Sequence, residues 1–183
     1  GTYIIIEQGS DCLLIDQHAA HERILYEKMN HRFEKKDGVH LLFPESILVT
    51  QEDFSLIEEH DAFLKLQGIN CFYAKENLSV LIKTAPPLIQ HLSLSQFIQE
   101  MIAYIKEHEQ LDRDYFKKQL EEFIRAQIAC KGAIKAGDRL SLIQMEQLVS
   151  DLMTTERRFI CVHGRPTIFT LSEAFIARQF QRT

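Results

Sequence analysis

The first sixteen residues contain two short apolar runs separated by a glycine turn. The runs are "TYIIIEQ" and "DCLLID", and "GS" lies between them. Such runs on either side of a turn signal predict a β-hairpin over residues 2–16, with Asp16 ending the second strand. From about residue 18 apolar residues recur every fourth position, as Leu25 and Met29 do, which predicts an amphipathic helix. The chain therefore begins with a strand-to-helix corner that the apolar runs before it anchor in the core.

The rest of the chain mixes strand and helix patterns without strict alternation. Extended segments are predicted at "HLLFPESILVT", at "GINCFYAKENLSVLIKTAPP" as two strands around a polar turn, and at "FICV" as a short buried strand. Helices are predicted over residues 51–67, 94–109 and 114–136, the last ending at the C-cap Gly137, and over "SLIQMEQLVSDLM". "IFTLSEAFIARQF" reads as a strand and a final helix. This mixture predicts the α+β class rather than a doubly wound α/β fold.

Composition limits the classes of partner. The net charge is −5, so strong binding of nucleic acid by bulk electrostatics is not expected, although a local basic patch could guide DNA. No run approaches the roughly 20 apolar residues that span a bilayer, so we expect no membrane partner. The start has no basic segment and no small-residue cleavage site, and the four cysteines are far apart in sequence. These features favour a reducing, intracellular compartment.

Charged and metal-binding side chains are concentrated in the first turns of the predicted helix. His18 and Glu22 are four residues apart and so share one helix face, a spacing that suits two ligands of one metal. Asp16 lies at the strand end within reach, and His21 could also face this way, whereas Glu27 should point away. The alternative is an ordinary helix start with solvated charges and Asp16 as the N-cap, and by itself the stretch favours that alternative.

A second group surrounds Cys130. In the predicted helix, basic residues recur every four positions beside this thiol, at Lys131, Lys135 and Arg139. They would form a basic stripe suited to a DNA backbone. The alternatives are a buried structural cysteine and a solvated basic face.

A third group follows the predicted strand "FICV". Cys161 and His163 are two residues apart, so on a strand they would share one face and make half of a zinc site. Arg165 offers a forked cation for a carboxylate or phosphate. A lone C-x-H pair is weak evidence, because many loops contain one.

Taken together, the three stretches resemble the C-terminal domain of the MutL family of DNA mismatch-repair proteins, in the branch whose C-terminal domain is a nicking endonuclease. That family's D-Q-H-A-x-x-E-x-x-x-x-E motif matches "DQHAAHERILYE" from Asp16 to Glu27. Its A/S-C-R/K motif matches "ACK" at 129–131, and its C-P-H-x-R-P motif reads "CVHGRP" at 161–166. The likeness runs from end to end of the chain. Val162 replaces the family's proline, which should alter the rigidity of the loop rather than remove a ligand.

The resemblance implies two subdomains and a homodimer. The external dimerisation and endonuclease subdomain would comprise residues 1–30 and 125–183, and the inserted regulatory subdomain residues 31–124. Related regulatory subdomains often carry a sliding-clamp docking motif, Q-x-L-L-x-P. The counterpart here is "VHLLFP", which keeps Leu41, Leu42 and Pro44 but has Val39 in place of glutamine, so clamp docking through this segment is in doubt.

The resemblance also implies one shared metal site that holds zinc or manganese. Six residues would converge on it: Asp16, His18, Glu22, Cys130, Cys161 and His163. Thiolates favour zinc, whereas carboxylates and imidazoles accept manganese. The mixture therefore suggests a regulatory or structural zinc beside a catalytic manganese position, at which Asp16, His18 and Glu22 would act.

The expected function is metal-dependent cleavage of one strand of duplex DNA during mismatch repair. The alternatives are a non-enzymatic dimerisation module with a structural zinc, and an inactive scaffold in which the motifs survive. The resemblance implies a MutS-type mismatch-recognition partner, and ATP binding by an N-terminal domain that this sequence lacks. We therefore expect the isolated chain to nick DNA weakly or not at all, and expect its location to be the cytoplasm in association with the nucleoid.

Overall fold

The computed structural model describes residues 1–32, 38–87, 89, 93–108 and 110–182, and over these residues the fold is α+β. Within these ranges it has six strands in two antiparallel sheets, and seven helices. The strands are β1 (Tyr3–Gln8), β2 (Asp11–Asp16), β3 (Val39–Leu48), β4 (Asn70–Ala74), β5 (Ser79–Ala85) and β6 (Ile168–Leu171). The helices are α1 (Gln17–Arg32), α2 (Gln51–Glu59), α3 (Asp61–Leu66), α4 (Leu94–His108), α5 (Arg113–Gly132), α6 (Leu142–Thr154) and α7 (Glu173–Gln179).

The chain divides into two compact units. One comprises Gly1–Asn30 and Gly132–Thr183, and the other comprises His31–Lys131. The assignment of dimerisation and catalysis to one subdomain and of regulation to another stays a prediction.

The first unit is built on the predicted hairpin. β1 and β2 pair antiparallel with Tyr3 opposite Asp16, and β6 pairs with the other edge of β2, giving the order β1-β2-β6. Alternate strand residues face a core formed with α1 and α6, which includes Ile4, Ile15, Ala20, Ile24, Leu148 and Leu152. Residues on both sides of the corner between β2 and α1, such as Ile15 and Ala20, are thus packed in this core.

The second unit contains a sheet of order β3-β5-β4. β3 pairs with β5 at both of its ends, but the register shifts between His40 and Glu45. Pro44, which has no N–H to donate, lies in this interruption. Glu45 then accepts hydrogen bonds from the backbone N–H groups of Leu94 and Ser95, both at 3.0 Å, and so caps the start of α4.

The helix predicted over residues 51–67 is interrupted. α2 ends at Glu59 and α3 begins at Asp61. His60 between them has φ −93° and ψ 8°, and its Nδ1 donates to the carbonyl oxygen of Leu56 at 2.9 Å. The helical spacing of apolar residues continues across His60, and for this reason the sequence predicted one helix rather than two.

The helix predicted over residues 114–136 also ends early, at Gly132. The backbone N–H and carbonyl oxygen of Ile134 are both hydrogen-bonded to histidine side chains of α1 rather than within a helix. Gly137 lies in a turn at φ +95° and is not the C-cap. The predicted helical stripe of basic residues is therefore wrong: Lys131 is on α5, whereas Lys135 and Arg139 follow it in a loop.

"FICV" is not a buried strand. Phe159 and Ile160 are about half exposed, and only an isolated bridge joins Ile160 to Pro166. Cys161 alone in this stretch is buried. Separately, no helix in the described ranges is long and apolar enough to cross a bilayer.

Candidate metal centre

The site begins at the junction of β2 and α1. The Oδ1 atom of Asp16 accepts hydrogen bonds from the backbone N–H groups of His18 at 2.9 Å and Ala19 at 3.0 Å. This carboxylate therefore caps α1, as the alternative interpretation of the sequence stated. The cap fixes where the helix starts and hence the direction of its first side chains. A role for Asp16 as a metal ligand stays a prediction.

His18 is oriented by a backbone carbonyl. Its Nδ1 lies 2.7 Å from the carbonyl oxygen of Ile134, which can only accept, so Nδ1 must carry the proton. In the neutral ring, Nε2 is then left with its lone pair. This arrangement, with one ring nitrogen donating to a carbonyl and the other available, is typical of metal-binding histidines.

Glu22 connects two histidines. Its carboxylate is fully buried, with Oε1 at 3.2 Å from Nε2 of His18 and Oε2 at 3.3 Å from Nδ1 of His163. An Nε2 lone pair and a carboxylate oxygen repel each other at this distance unless they share a positive charge. A cation held by both His18 and Glu22 would relieve this repulsion.

A tight turn places Cys161 and His163 opposite this helix face. The N–H of Cys161 donates to the carbonyl oxygen of Arg165 at 2.8 Å, and the N–H of Gly164 donates to that of Cys161 at 3.1 Å. Gly164 adopts φ +79°, which residues with a side chain rarely do. The N–H of His163 also donates to Sγ of Cys161 at 3.3 Å, so the two side chains approach each other through a turn and not through strand alternation.

Three ligand atoms converge in the first unit. One atom each from Glu22, Cys161 and His163 lie within 4.8 Å of one another. Glu22 and Cys161 are buried, whereas His163 is partly exposed, so one side of the group is open. Thiolate, imidazole and carboxylate are the zinc ligands of proteins, and three of them with an open position fit a cation site. Asp16 contributes no atom to this group.

His21 has a structural role that the sequence did not reveal. Its Nδ1 accepts the backbone N–H of Ile134 at 3.0 Å, on the residue whose carbonyl holds His18. Burial lowers the pKa of His21 below its usual value, and the nearby charge of Lys28 acts in the same direction. A neutral ring is what this acceptor role needs.

The residues around Cys130 belong to other parts of the fold. Cys130 is half-buried in the last turn of α5, in the second unit, and its role as a ligand stays a prediction. Lys131 forms an ion pair with Glu100 at 2.9 Å in the same unit. Lys135, Arg139 and Arg165 are exposed on loops of the first unit.

Two charged residues of α1 bind the segment before Cys161. Arg23 is buried and donates from Nε to the carbonyl oxygen of Ile160 at 2.7 Å. Glu27 accepts backbone N–H bonds from Glu156 at 2.8 Å and Arg157 at 3.1 Å, so it points away from the ligand group. Arg23 has no sequence signal beyond its spacing of four residues from Glu27, which is common on exposed helices.

Two apolar surfaces are exposed. In the second unit, the irregular part of β3 leaves the side chains of Leu42 and Phe43 about nine-tenths exposed, with Leu41 less so and Pro44 also exposed. In the first unit, the sheet face opposite the core presents Tyr3, Ile5 and Phe169, and Ile5 and Phe169 both pair with Leu14 across the sheet.

Comparison with known proteins gives the family. Residues 1–140 match the family model described as the MutL C terminal dimerisation domain. The chain is 33% identical over 181 residues to the DNA mismatch repair protein MutL of Thermoanaerobacter pseudethanolicus, covering 99% of this chain and 29% of the relative. It is 35% identical over 169 residues to MutL of Pseudomonas aeruginosa strain LESB58, covering 91% of this chain and 26% of the relative.

The MutL of Azotobacter vinelandii is 33% identical over 185 residues, with 100% of this chain and 28% of the relative covered. The chain thus spans less than a third of the length of these relatives. Its family's description as a dimerisation domain supports homodimer formation. The chain belongs to the MutL C-terminal dimerisation domain family of DNA mismatch repair proteins.

Proposed function

We propose that this domain is a metal-dependent endonuclease that nicks one strand of duplex DNA in mismatch repair. The observation that carries the proposal is the convergence of Glu22, Cys161 and His163 within 4.8 Å, with His18 hydrogen-bonded so that its Nε2 faces Glu22. Manganese-dependent nicking of supercoiled plasmid by a full-length protein carrying this domain is the experiment that tests it.

The donor set supports zinc and manganese in different positions. Cys161 with His163 suits zinc, whereas the carboxylates of Glu22 and Asp16 and the imidazole of His18 suit manganese. A divalent cation held there would activate water and stabilise the negative charge that develops on the phosphate. Cys130 is proposed as a further ligand from the family resemblance alone.

Neighbouring residues of the chain would orient the ligand side chains and place negative charge beside the cation. Ile134 fixes the protonation and direction of the His18 ring, and buried Glu22 holds negative charge where a cation is needed. The open side at His163 would admit a phosphate group. Because Asp16 caps α1, its removal would also move the first turn that carries His18.

Binding of duplex DNA would rely on a small number of exposed cations. Lys135, Arg139 and Arg165 are exposed on loops, whereas Lys131 is half-buried and pairs with Glu100, so Lys131 should contribute less. The net charge of −5 makes weak DNA binding by the isolated chain the expectation.

Docking to a sliding clamp is the proposed role of the β3 segment. Exposed Leu42 and Phe43, with Leu41 and Pro44 beside them, offer apolar anchors of the kind that a partner's groove takes. A MutS-type mismatch-recognition protein, and an N-terminal domain that binds ATP, are proposed from the family alone.

We further propose that homodimers form through the outer face of the β1-β2-β6 sheet. Ile5→Asp should convert the dimer to a monomer, because Ile5 is 69% exposed and a paired interface would bury the new charge without a partner. Light scattering coupled to size exclusion at micromolar concentration would report the mass against the 21.3 kDa chain.

Leu48→Asp is the matched control for this dimer test. Leu48 is 75% exposed at the end of β3 in the second unit, so the same change should leave the dimer intact. A dimer that survives Ile5→Asp but dissociates with Leu48→Asp would place the interface elsewhere.

Asp16→Asn tests the proposed ligand role of this residue apart from its capping role. Asparagine caps helices as well as aspartate does, so the fold should persist. Loss of the charge should lower nicking by at least about tenfold, because hard cations need anionic oxygen ligands. Circular dichroism would measure the helix content of the whole protein, and plasmid nicking would measure the activity. Normal nicking with a normal spectrum would leave Asp16 as a cap only.

A non-enzymatic dimerisation module with a structural zinc is the second candidate function. The buried Cys161 favours it, since a buried thiolate suits a closed, permanent metal site. In that case the full-length protein would bind zinc and dimerise but would not nick DNA with manganese.

A further inference from the structure

The segment that carries Cys161 and His163 is short and has little regular structure of its own. Between the end of α6 at Thr154 and the start of β6 at Ile168, the only ladder contact among the described residues is the Ile160–Pro166 bridge. Half of the proposed metal site therefore lies on a loop, and loops hold ligands less accurately than helices and strands do. Something outside the loop has to fix its position.

Arg23 of α1 supplies one such fixed point. Its side chain is only 7% exposed, and Nε donates at 2.7 Å to the carbonyl oxygen of Ile160, the residue directly before Cys161. The guanidinium also lies 5.5 Å from the centre of the Tyr26 ring. A buried charged donor is costly to leave unmatched, so this hydrogen bond strongly constrains the Ile160 peptide.

Glu27, one turn further along α1, supplies a second fixed point. Its two oxygens accept the successive backbone N–H groups of Glu156 and Arg157 at 2.8 and 3.1 Å. The distance between Nη1 of Arg23 and Oε1 of Glu27 is 3.9 Å, so each side chain also stabilises the charge of the other. Because both oxygens of Glu27 already accept backbone N–H bonds, it is not placed to act as a ligand.

The far end of the loop is fastened to the strand that leads into α1. The N–H of Thr167 donates to the carbonyl oxygen of Phe159 at 3.1 Å, and the N–H of Asp16 donates to that of Thr167 at 3.0 Å. The ligand turn is thus held at both ends by the same strand-to-helix corner that carries Glu22.

We propose that Arg23 and Glu27 are positioning residues for the Cys161 and His163 half of the metal site. They join residues 156–160 to α1, and so set the distance between that half and Glu22 on the same helix. This inference rests on the proposed function, because it assumes that the group binds a metal. It gives the last glutamate of the motif a role that is neither ligand nor catalyst.

The test measures the zinc dissociation constant of the 183-residue chain by competition with a coloured chelator. Arg23→Met and Glu27→Gln should each weaken zinc binding by about tenfold, the lower end of the effect of losing groups that orient metal ligands. Arg23→Lys, which keeps a charge and one donor for Ile160, should recover part of the loss. The absorption bands of bound cobalt should change in Arg23→Met and Glu27→Gln, because they report the arrangement of ligands.

Lys28→Met is the matched control. Lys28 is on the same helix, and its ion pair, at 2.6 Å, is with Asp151 of α6 rather than with the ligand loop. Its removal should leave the zinc constant and the cobalt bands unchanged. If it weakens zinc as much as Glu27→Gln does, the effect is general destabilisation and the inference is overturned.

The remaining outcomes separate this inference from the proposed function. Unchanged zinc binding in Glu27→Gln overturns the positioning role, even if Arg23→Met fails to fold. If the unmodified chain binds no zinc, or binds it equally well as Cys161→Ser, the proposed metal site is wrong and the positioning role is overturned with it.

Discussion

Cys161→Ser is expected to weaken zinc binding by about a hundredfold or more. Cys161 supplies the buried sulfur atom of the converging group, and in a zinc site a thiolate is a much better ligand than an alcohol, which stays protonated and coordinates poorly. This loss should exceed the roughly 10–100-fold cost of removing a group that only orients a ligand. Metal analysis of the purified chain and a chelator competition would measure it.

Cys12→Ser is the matched control for this change. Cys12 lies half-buried on β2 in the same unit but contributes no atom to the group. It should retain zinc at the level of the unmodified chain. If the unmodified chain, Cys161→Ser, Cys12→Ser and His163→Ala all contain the same amount of zinc, the metal is bound at another site.

Glu22→Gln is expected to reduce nicking by about a hundredfold or more at saturating manganese. The change keeps the size of the side chain but removes the buried charge that faces both His18 and His163. Removing one preorganised electrostatic group typically costs about 10²–10³ in rate. Nicking of supercoiled plasmid by the full-length protein would measure the rate.

Glu27→Gln makes the same chemical change five residues further along the same helix. Its expected effect is on metal affinity alone, so raising the metal concentration should restore nearly full nicking. If both variants stay inactive at saturating metal while folded, Glu27 takes part in the chemistry. If both nick normally, the buried Glu22 is structural and the proposed metal centre is not where nicking takes place.

The parts of the fold that local signals determine were predictable from the sequence. The hairpin of β1 and β2 follows from two apolar runs around a turn, and Asp16 does end β2. The extended segment predicted at "HLLFPESILVT" overlaps β3, and its register shifts before Glu45, next to Pro44, which has no N–H to donate. The α+β class was predicted from the mixed order of strands and helices and is confirmed.

Element ends that depend on distant partners were not predictable. α5 stops at Gly132 although helix-forming residues continue, because His18 and His21 take both hydrogen-bonding groups of Ile134. These histidines are more than 110 residues earlier in the chain. The helix propensity of residues 133–136 says nothing about hydrogen bonds to such distant side chains.

The site shows the same division. The spacing of His18 and Glu22 predicts that they share one helix face. Only the family resemblance predicts that Cys161 and His163 lie near them. The structure brings these two to Glu22 through a turn, whereas the sequence predicted strand alternation. Arg23 and Glu27 appear in the sequence as ordinary helix charges, and only their long-range backbone partners reveal what they hold.

The most direct test of the central proposal is manganese-dependent nicking of supercoiled plasmid by the unmodified full-length protein. We expect open circular product with manganese, none when a chelator removes the metal, and nicking reduced by about a hundredfold or more when Glu22 is replaced by glutamine. A folded, dimeric, zinc-containing full-length protein that leaves the plasmid supercoiled at every manganese concentration would contradict the endonuclease function.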